Sequence, residues 1–346
     1  MSRFQCLDMK NILVSTPNWL GDAVFSTPVF KVLKENYPAA RLTALCVPRV
    51  KDALGLCPYV DETLVYDEGG QDRPLFAKIA LIRKIARGRF DVALILRPSF
   101  SRSLMFTLAG IPRRIGYASK AGAFLLARSL ELNGNDGLHR ADIYLRLLEA
   151  EGLKIASREP CLVVSDDQRS RSASFLKARG LKPGESYAVL NTGGNWDLKQ
   201  WPWERFAELA GRITREMGIR VVLPGAPKDL ERVEMIAQRS GVFPVVIAGS
   251  TDLMELAAVM AGAEFVVSAD SGPLHLAAAV GCKVVGIFGP TRPDITGPRG
   301  ISRVALIEKD VRCNRAPCYY LECPDNRCMK SVGVEDVFEA VRKIAN

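Results

Sequence analysis

An aspartate near the start of the chain, Asp22, is placed where it could act as a general base. It lies in PNWLGDAVFSTP (residues 17–28), directly after the apolar run at 12–14. A carboxylate at the wall of a cleft can accept a proton from a substrate hydroxyl when partial burial adjusts its pKa. The position also suits a helix N-cap, because Asp caps helices well and apolar residues follow at 24, 25 and 29. Both interpretations stay open.

A second segment, SADSGPLHLAAA (residues 268–279), follows another apolar strand signal and opens a helix. Strand, turn and helix start together form an anion site, because unpaired backbone N–H groups and the positive end of the helix dipole point at the ligand. Glycine allows close approach of the backbone, and proline near the first helical position loses no hydrogen bond. A histidine here is by itself more often structural. The residues predicted to bind an anion are Asp270, Ser271, Gly272, Pro273 and His275.

A third segment, NTGGNWDLKQWP (residues 191–202), also follows an apolar strand. Its hydroxyl and backbone donors, with one lysine, suit a diphosphate. The alternative is a surface loop held in place by the Trp–Pro pair at 201–202. The candidate ligands are Thr192, Gly193, Gly194, Asn195 and Lys199.

Strand and helix signals alternate through both halves of the chain. Such alternation predicts parallel sheets covered by helices, and ligands then bind at the carboxyl ends of the strands. We therefore predict an α/β fold of two Rossmann-like, doubly wound domains that face each other across a cleft. The Lys-Pro-Gly at 182–184 marks the boundary region, and the domains are predicted as residues 1–178 and 179–346. Helices are predicted to end near 37 and to span 50–56, 76–87, 203–217, 229–238, 253–261, 272–280 and 334–344.

Composition and charge limit the class of partner. The 346 residues contain 47 Lys and Arg against 38 Asp and Glu, a net charge of +9, which favours an anionic partner over a neutral one. Nucleic acid is excluded as the expected partner, because the basic residues are scattered and no binding motif accompanies them; a mildly basic surface is the alternative. No apolar run suits a membrane span or a signal peptide, so a cytoplasmic location is expected. Whether translation starts at Met1 or Met9 stays open.

Four cysteines near the C-terminus, Cys313, Cys318, Cys323 and Cys328, recur at intervals of five. Zinc sites prefer tighter pairs, and disulfides are disfavoured in the cytosol. Reduced, partly buried thiols are therefore expected, with a metal site or disulfides as the open alternatives.

From Lys10 onward the chain resembles glycosyltransferase family 9, the ADP-heptose:lipopolysaccharide heptosyltransferases. The resemblance rests on PNWLGDAVFSTP, GIPRRIGY (110–117), Lys-x-Trp-Pro (199–202), PGAPKD (224–229), Asp-Ser-Gly-x-x-His (270–275), FGPT (288–291) and the Cys-rich tail. The first of these segments is most similar to the heptosyltransferase II branch.

The resemblance implies a GT-B fold with an acceptor-binding N-terminal domain and an ADP-heptose-binding C-terminal domain. It implies inverting transfer to the lipopolysaccharide inner core with no cofactor and no obligate metal. Asp22 matches the family's base, Lys199 and residues 270–275 match its diphosphate contacts, and Asp229 matches a ribose-binding acid. The tail helix is expected to pack back on the first domain.

The implied acceptor is a phosphorylated, membrane-held glycolipid, Kdo-lipid A that carries a first heptose. A basic N-terminal face would suit it, with transient contact at the cytoplasmic surface of the inner membrane. The residues assigned to this acceptor surface are Asn18, Trp19, Arg97, Arg102, Arg113, Arg114 and Arg140.

Two alternatives stay open. A different GT-B nucleotide-sugar enzyme, either another transferase or an epimerase, would keep both domains and the phosphate loop. A non-catalytic nucleotide-sugar binding module would not require Asp22 for its function. The position of the transferred heptose and the acceptor's phosphorylation state are likewise left open by the sequence.

Overall fold

The computed structural model describes residues 9–119, 121–132, 137–313, 315, 318 and 322–345. The chain divides into two compact units, Met1–Leu162 and Val163–Asn346. The choice between Met1 and Met9 as the start concerns residues 1–8, which lie outside the described residues.

The first unit is built on six parallel strands in the order β3-β2-β1-β4-β5-β6. The two central strands are buried except for Asn11 and are mostly apolar, as expected for a parallel sheet covered on both faces. The strands are β1 Asn11–Ser15, β2 Arg41–Cys46, β3 Glu62–Val65, β4 Val92–Ile95, β5 Arg113–Tyr117 and β6 Arg128–Leu130.

The helices of the first unit connect successive strands, and the first predicted helix is divided in two at Ser26. Pro28 has no N–H to donate to the carbonyl of Val24, so the helical ladder is interrupted. The Thr27 hydroxyl donates to that carbonyl instead, at 2.8 Å. The helices are α1 Leu20–Phe25, α2 Thr27–Asn36, α3 Pro48–Gly55, α4 Leu75–Arg87, α5 Phe100–Leu108 and α6 Arg140–Ala150, with a 3-10 turn at Ala123–Leu125.

The second unit repeats the architecture with six parallel strands in the order β12-β11-β10-β7-β8-β9. The strands are β7 Tyr187–Asn191, β8 Arg220–Leu223, β9 Val245–Val246, β10 Val266–Ala269, β11 Val284–Ile287 and β12 Val304–Ile307. The helices are α7 Asp166–Lys177, α8 Trp203–Met217, α9 Leu230–Arg239, α10 Leu253–Ala261, α11 Gly272–Ala279, α12 Pro293–Thr296, α13 Arg327–Lys330 and α14 Val334–Ala345, with 3-10 turns at Asp197–Lys199 and Pro227–Asp229.

Both sheets have the same connectivity, in which the first strand of each unit pairs with the second and with the fourth. The strand order therefore reverses between β1 and β4 in the first unit and between β7 and β10 in the second. Such a switch point opens a crevice at the carboxyl ends of the two strands. The prediction of two Rossmann-like, doubly wound domains is confirmed.

The division between the units lies before α7, whereas the sequence predicts it after that helix. Helix α7 packs against α10 of the second unit, with Ser172 and Leu176 buried. Its contacts therefore assign it to the second unit.

The tail helix α14 packs within the second unit. Its buried face packs against α8, β11 and β12, and its five buried residues belong to the hydrophobic core of the second unit. Packing of the same helix on the first domain, which the family resemblance implies, stays a prediction. Amphipathic spacing predicts that one face is buried, but it does not say against what.

Candidate active site

Asp22 lies within helix α1 and is not its N-cap. The helix begins at Leu20, Trp19 occupies the N-cap position, and Asp22 stands in the first turn. No side chain caps this helix, so the capping interpretation is wrong. The Asp22 side chain keeps 20% of its surface exposed, which leaves the carboxylate accessible to a substrate.

Two side chains hold the Asp22 carboxylate in place. The phenol of Tyr144, on α6, donates to Oδ1 at 2.8 Å, and an Nη1 of Arg97, just after β4, lies 3.7 Å from Oδ2. Because a carboxylate offers about four acceptor positions, Asp22 can still take a proton or accept another hydrogen bond. We call Asp22, Tyr144 and Arg97 the Asp22 site. It lies at the switch point between β1 and β4.

The electrostatics of this site favour a neutral phenol and a charged guanidinium beside Asp22. Burial and the neighbouring Asp22 charge raise the pKa of Tyr144 far above its usual value, so the phenol remains a donor. Burial alone would lower the pKa of Arg97, but Tyr144 and Asp22 outweigh it and raise that pKa. Tyr144 was not identified from the sequence. The available signal was a tyrosine in the otherwise apolar buried stripe of α6, since a buried tyrosine usually has a polar partner.

Arg102 is buried beneath the loop that leads to Asp22. It is 6% exposed, and it donates to the Ser15 hydroxyl at 2.9 Å and to the Thr16 carbonyl at 3.0 Å. Its other terminal nitrogen donates to Asn18 Oδ1 at 2.9 Å. Arg102 is therefore too buried to belong to an exposed acceptor surface. Its guanidinium instead holds in place the loop between β1 and α1.

The exposed side chains around the Asp22 site include part of the predicted acceptor surface. Trp19 is 54% exposed, and the guanidinium of Arg49 on α3 lies 4.7 Å from the centre of its ring. Arg140 begins α6, one turn before Tyr144 on the same helix. Arg49 was missed from the sequence, which gave no sign that α3 would lie beside Trp19.

Arg113 and Arg114 are not brought to the Asp22 site. They begin β5 and pair with Val92 and Ala93 at the start of β4, at the amino edge of the sheet. Asp22 follows the opposite, carboxyl edge. Arg113 lies 3.8 Å from the buried Glu151, and Arg114 donates to the Leu125 carbonyl at 2.7 Å. The strand register therefore shows that the prediction of Arg113 and Arg114 on the same surface as Asp22 is wrong.

In the second unit, Asp270 is the centre of a buried polar cluster at the end of β10. Lys199 Nζ and the Thr291 hydroxyl each lie 2.6 Å from Oδ2, and His275 Nε2 lies 3.3 Å from Oδ1. We call Asp270, Lys199, His275 and Thr291 the Asp270 site. Thr291 was not identified as a site residue, although it belongs to the FGPT segment that follows β11.

The charge of Asp270 is strongly stabilised. Burial would raise its pKa, but the hydrogen bond and charge of His275 and the charge of Lys199 outweigh burial and hold the pKa far below its usual range. The Asp270 side chain is 4% exposed, against 22% for Lys199. The lysine therefore presents the more accessible charge of the pair, whereas the aspartate fixes its position.

The start of α11 lies beside this cluster. Ser271 is the N-cap but does not cap the helix with its side chain. Its hydroxyl instead contacts Ser268 Oγ at 2.9 Å and accepts from Asn191 Nδ2 at 3.2 Å. This arrangement leaves the helix start, at Gly272 and Pro273, open to an anion.

The predicted loop after β7 meets the same switch point. Among the described residues, the buried Thr192 hydroxyl has no hydrogen-bond partner, so it is available to a ligand. A Cβ on Gly193 would lie 3.0 Å from Asp229 Oδ2, which explains why a glycine fits there. Asn195 Oδ1 accepts from Lys228 at 3.4 Å.

Asp229 lies in the 3-10 turn before α9 rather than inside the predicted helix. Its Oδ2 accepts from the backbone N–H of Ala226 at 3.0 Å, and its Oδ1 pairs with Arg232 at 2.9 Å. Arg232 also contacts Gln200, whose amide donates to the Gly194 carbonyl at 3.2 Å. Asp229, Arg232 and Gln200 thus link the loop after β7 to α9. Gln200 and Arg232 were missed from the sequence.

The four tail cysteines line one cavity of about 700 Å³, together with Gly289 and Pro290. All eight cysteines in the described ranges are free thiols. Burial raises the pKa of Cys328, whereas backbone hydrogen bonds lower that of the exposed Cys323. Among the residues that the structure describes, no group of three or more His, Cys, Asp or Glu side chains is placed to hold a metal ion.

None of the helices in the described part of the chain combines the length and apolarity required to cross a bilayer.

Comparison with known proteins identifies the relatives of this chain. The sequence profile of glycosyltransferase family 9 (heptosyltransferase) matches residues 78–324, well over half of the chain. Lipopolysaccharide heptosyltransferase 2 of Salmonella typhimurium is 28% identical over 298 residues, which cover 83% of this chain and 85% of that protein.

Two solved structures resemble the whole fold. A glycosyl transferase family 9 protein from Veillonella parvula has a TM-score of 0.89 at 25% identity, covering 98% of both chains. The ADP-heptose lps heptosyltransferase II of E. coli has a TM-score of 0.80 at 25% identity, covering 97% of this chain and 98% of its own.

Proposed function

The chain belongs to glycosyltransferase family 9, and we propose that it transfers a heptose from ADP-L-glycero-D-manno-heptose to the inner core of lipopolysaccharide. The observation that carries this proposal is the accessible Asp22 carboxylate, held by Tyr144 and Arg97 at the switch point of the first unit. A binding module has no need of a carboxylate oriented in this way. The relatives named heptosyltransferase 2 support the heptosyltransferase II branch.

Asp22 would act as the general base. In an inverting transfer the acceptor oxygen attacks the anomeric carbon of the heptose as the bond to the diphosphate breaks, and the acceptor hydroxyl gives its proton to Asp22. Tyr144 would orient the carboxylate through its 2.8 Å hydrogen bond. Arg97, 3.7 Å away, would help to hold the carboxylate in place through its opposite charge.

The Asp270 site would bind the diphosphate of the donor. The lysine and the start of α11 both favour negative charge, so they would stabilise the charge that develops on departing ADP. Asp270 would fix the lysine rather than touch the diphosphate, because two like charges would repel. Thr192, with its buried and unpartnered hydroxyl, and residues 193–195 would supply neutral donors. Asp229 would accept from the ribose.

The acceptor would be Kdo-lipid A that already carries one heptose, and its phosphates would favour a basic surface. Asn18 and Trp19 directly precede α1, and Arg140 begins α6; these three side chains would contact the acceptor sugar. Because such an acceptor is anchored by its lipid, the enzyme would work in transient contact with the cytoplasmic face of the inner membrane.

The test is a transfer assay with a mass readout. Purified protein is incubated with ADP-heptose and either Kdo-lipid A or Kdo-lipid A with one heptose. The proposal predicts a gain of one heptose on the second acceptor and none on the first. No gain on either acceptor would contradict the proposed activity, and gain only on the heptose-free acceptor would assign the enzyme to the first heptose addition instead.

A further inference from the structure

Helix α4 exposes large apolar side chains beside a cluster of positive charge. Leu75 is 73% exposed, Phe76 76% and Ile79 40%, whereas Leu81 and Ile85 form the buried face. Exposed apolar residues that are grouped in this way, unlike single ones, indicate a contact surface.

The charges on this segment all have one sign. Residues 73–90 contain six basic side chains and no acidic one. The outer stripe of the helix runs from Phe76 and Ile79 to Arg83 and Arg87, and all four side chains are exposed. The basic residues of the segment are Arg73, Lys78, Arg83, Lys84, Arg87 and Arg89.

The apolar surface continues onto the neighbouring elements. Helix α5 packs beside α4 and exposes Phe100, Leu104 and Leu108, which recur every four residues and so form one stripe. Phe124 in the adjacent 3-10 turn is 78% exposed, and Gly122 of that segment approaches Phe100 closely. We call the exposed apolar side chains of α4, α5 and the turn, with the basic residues of α4, the α4–α5 face.

The α4–α5 face extends from the same sheet edge as the Asp22 site. Leu75 and Phe76 begin the helix that follows β3, and Phe100 begins the helix that follows β4, three residues after Arg97. Since helices in a parallel sheet begin at the carboxyl ends of the strands, these side chains and Asp22 share one edge of the first unit.

We propose that the α4–α5 face docks on an anionic lipid bilayer. This inference rests on the proposed function, because a lipid-anchored acceptor reaches a base only if the base is held at the membrane surface. Apolar side chains insert into the headgroup region while basic ones attract anionic lipids, which is how amphipathic helices bind membranes. A second copy of this chain is disfavoured as the occupant, because it would place six positive charges against six others.

The experiment measures co-sedimentation of the full chain with vesicles of phosphatidylcholine, with or without phosphatidylglycerol. The apolar variant is Leu75→Ser with Phe76→Ser, and the charge variant is Arg83→Glu with Lys84→Glu. Each has a matched control on the second unit: Phe243→Ser, at a side chain that is 83% exposed, and Lys177→Glu with Lys182→Glu, at two exposed lysines.

The parent protein is expected to bind vesicles with phosphatidylglycerol far better than vesicles without it, and added salt should weaken this binding. The charge variant should bind at least about twentyfold more weakly, since each basic residue near an anionic surface contributes about fivefold. The apolar variant should lose about tenfold. The control variants should bind as the parent does.

Failure of the parent to bind anionic vesicles, or an equal loss in the control variants, would overturn the proposal. A concentration-dependent dimer that the apolar variant abolishes would instead assign the surface to a second copy. Transfer to a delipidated, soluble acceptor separates this inference from the proposed function: both variants should retain it. Vesicle binding without any heptose transfer would refute the proposed function but would still support membrane docking by the α4–α5 face.

Discussion

The two units have the same strand order and place an aspartate at each switch point, yet the two carboxylates are held in opposite ways. Asp22 has one hydrogen bond from Tyr144, a guanidinium 3.7 Å away, and a side chain that is 20% exposed. Asp270 is 4% exposed and is surrounded by a lysine, a histidine and a threonine. One topology therefore provides one accessible carboxylate and one locked carboxylate.

The difference indicates that the two aspartates have different tasks. A base must keep room for a proton and for the hydroxyl that supplies it. A carboxylate that already satisfies three polar neighbours serves better to fix those neighbours in place. We therefore interpret Asp22 as a reacting group and Asp270 as the group that positions Lys199 and His275.

The largest effect is expected from Asp22→Asn, which removes the base but keeps the shape. Heptose transfer should slow by at least about a hundredfold, within the usual range for loss of a general base. Because Asp22 does not cap α1, the variant should melt close to the parent temperature. Steady-state transfer assays and thermal melts check both parts, and near-normal turnover would remove Asp22 from the chemistry.

Asp270→Asn should act on stability and donor binding together. The substitution leaves Lys199 and His275 without their carboxylate, which should cost about 2 kcal/mol in the free energy of unfolding. Because folding lowers the pKa of Asp270, its charge stabilises the fold above the unfolded value, near 4, and this stabilisation is lost as the pH falls below that value. Denaturant titrations should therefore show a large parent–variant difference at pH 7 and a smaller one at pH 3. A difference that does not depend on pH would contradict the charged role.

Lys199→Ala should weaken ADP binding by roughly tenfold, because it removes the accessible positive charge of the Asp270 site. Titration calorimetry measures the affinity for ADP. Lys309→Ala is the matched control, since Lys309 pairs with Asp336 elsewhere in the same unit. Equal affinities in both variants would exclude Lys199 from the donor site.

The smallest effect is expected from Tyr144→Phe, which keeps the base and removes one hydrogen bond to it. Turnover should fall about fivefold, consistent with the loss of about 1 kcal/mol of orientation. Tyr117→Phe is the control, because the Tyr117 phenol is also buried but donates to the Ile143 carbonyl. An equal loss of turnover in both variants would mean that packing, rather than the contact with Asp22, explains the result.

The sequence predicted many of the elements and both switch-point segments, for a physical reason, although it did not predict α5, α6 or α7. Alternating apolar strands and amphipathic helices are local patterns, and helices such as Trp203–Met217 and Leu253–Ala261 begin and end as predicted. In a parallel sheet, a polar segment directly after a strand must lie at the carboxyl edge. Asp22 and Asp270 were therefore found from local sequence.

The remaining features depend on contacts between distant segments. Arg113 and Arg114 have the residue type of an anion site, but their register places them at the opposite edge of the sheet. Tyr144 and Asp22 are 122 residues apart in the sequence, and nothing in the sequence around either residue indicates that they are in contact. The buried position of Arg102 likewise follows from the loop packed above it.

The most direct test of the different roles of the two aspartates is the ADP-induced rise in melting temperature, measured in parallel on Asp22→Asn and Asp270→Asn. A ligand that binds the folded state raises its stability by RT ln(1 + [L]/Kd), so the rise reports donor affinity without chemistry. We predict the parent's rise in Asp22→Asn and a clearly smaller rise in Asp270→Asn. Loss of the rise in Asp22→Asn, or its full retention in Asp270→Asn, would contradict this prediction.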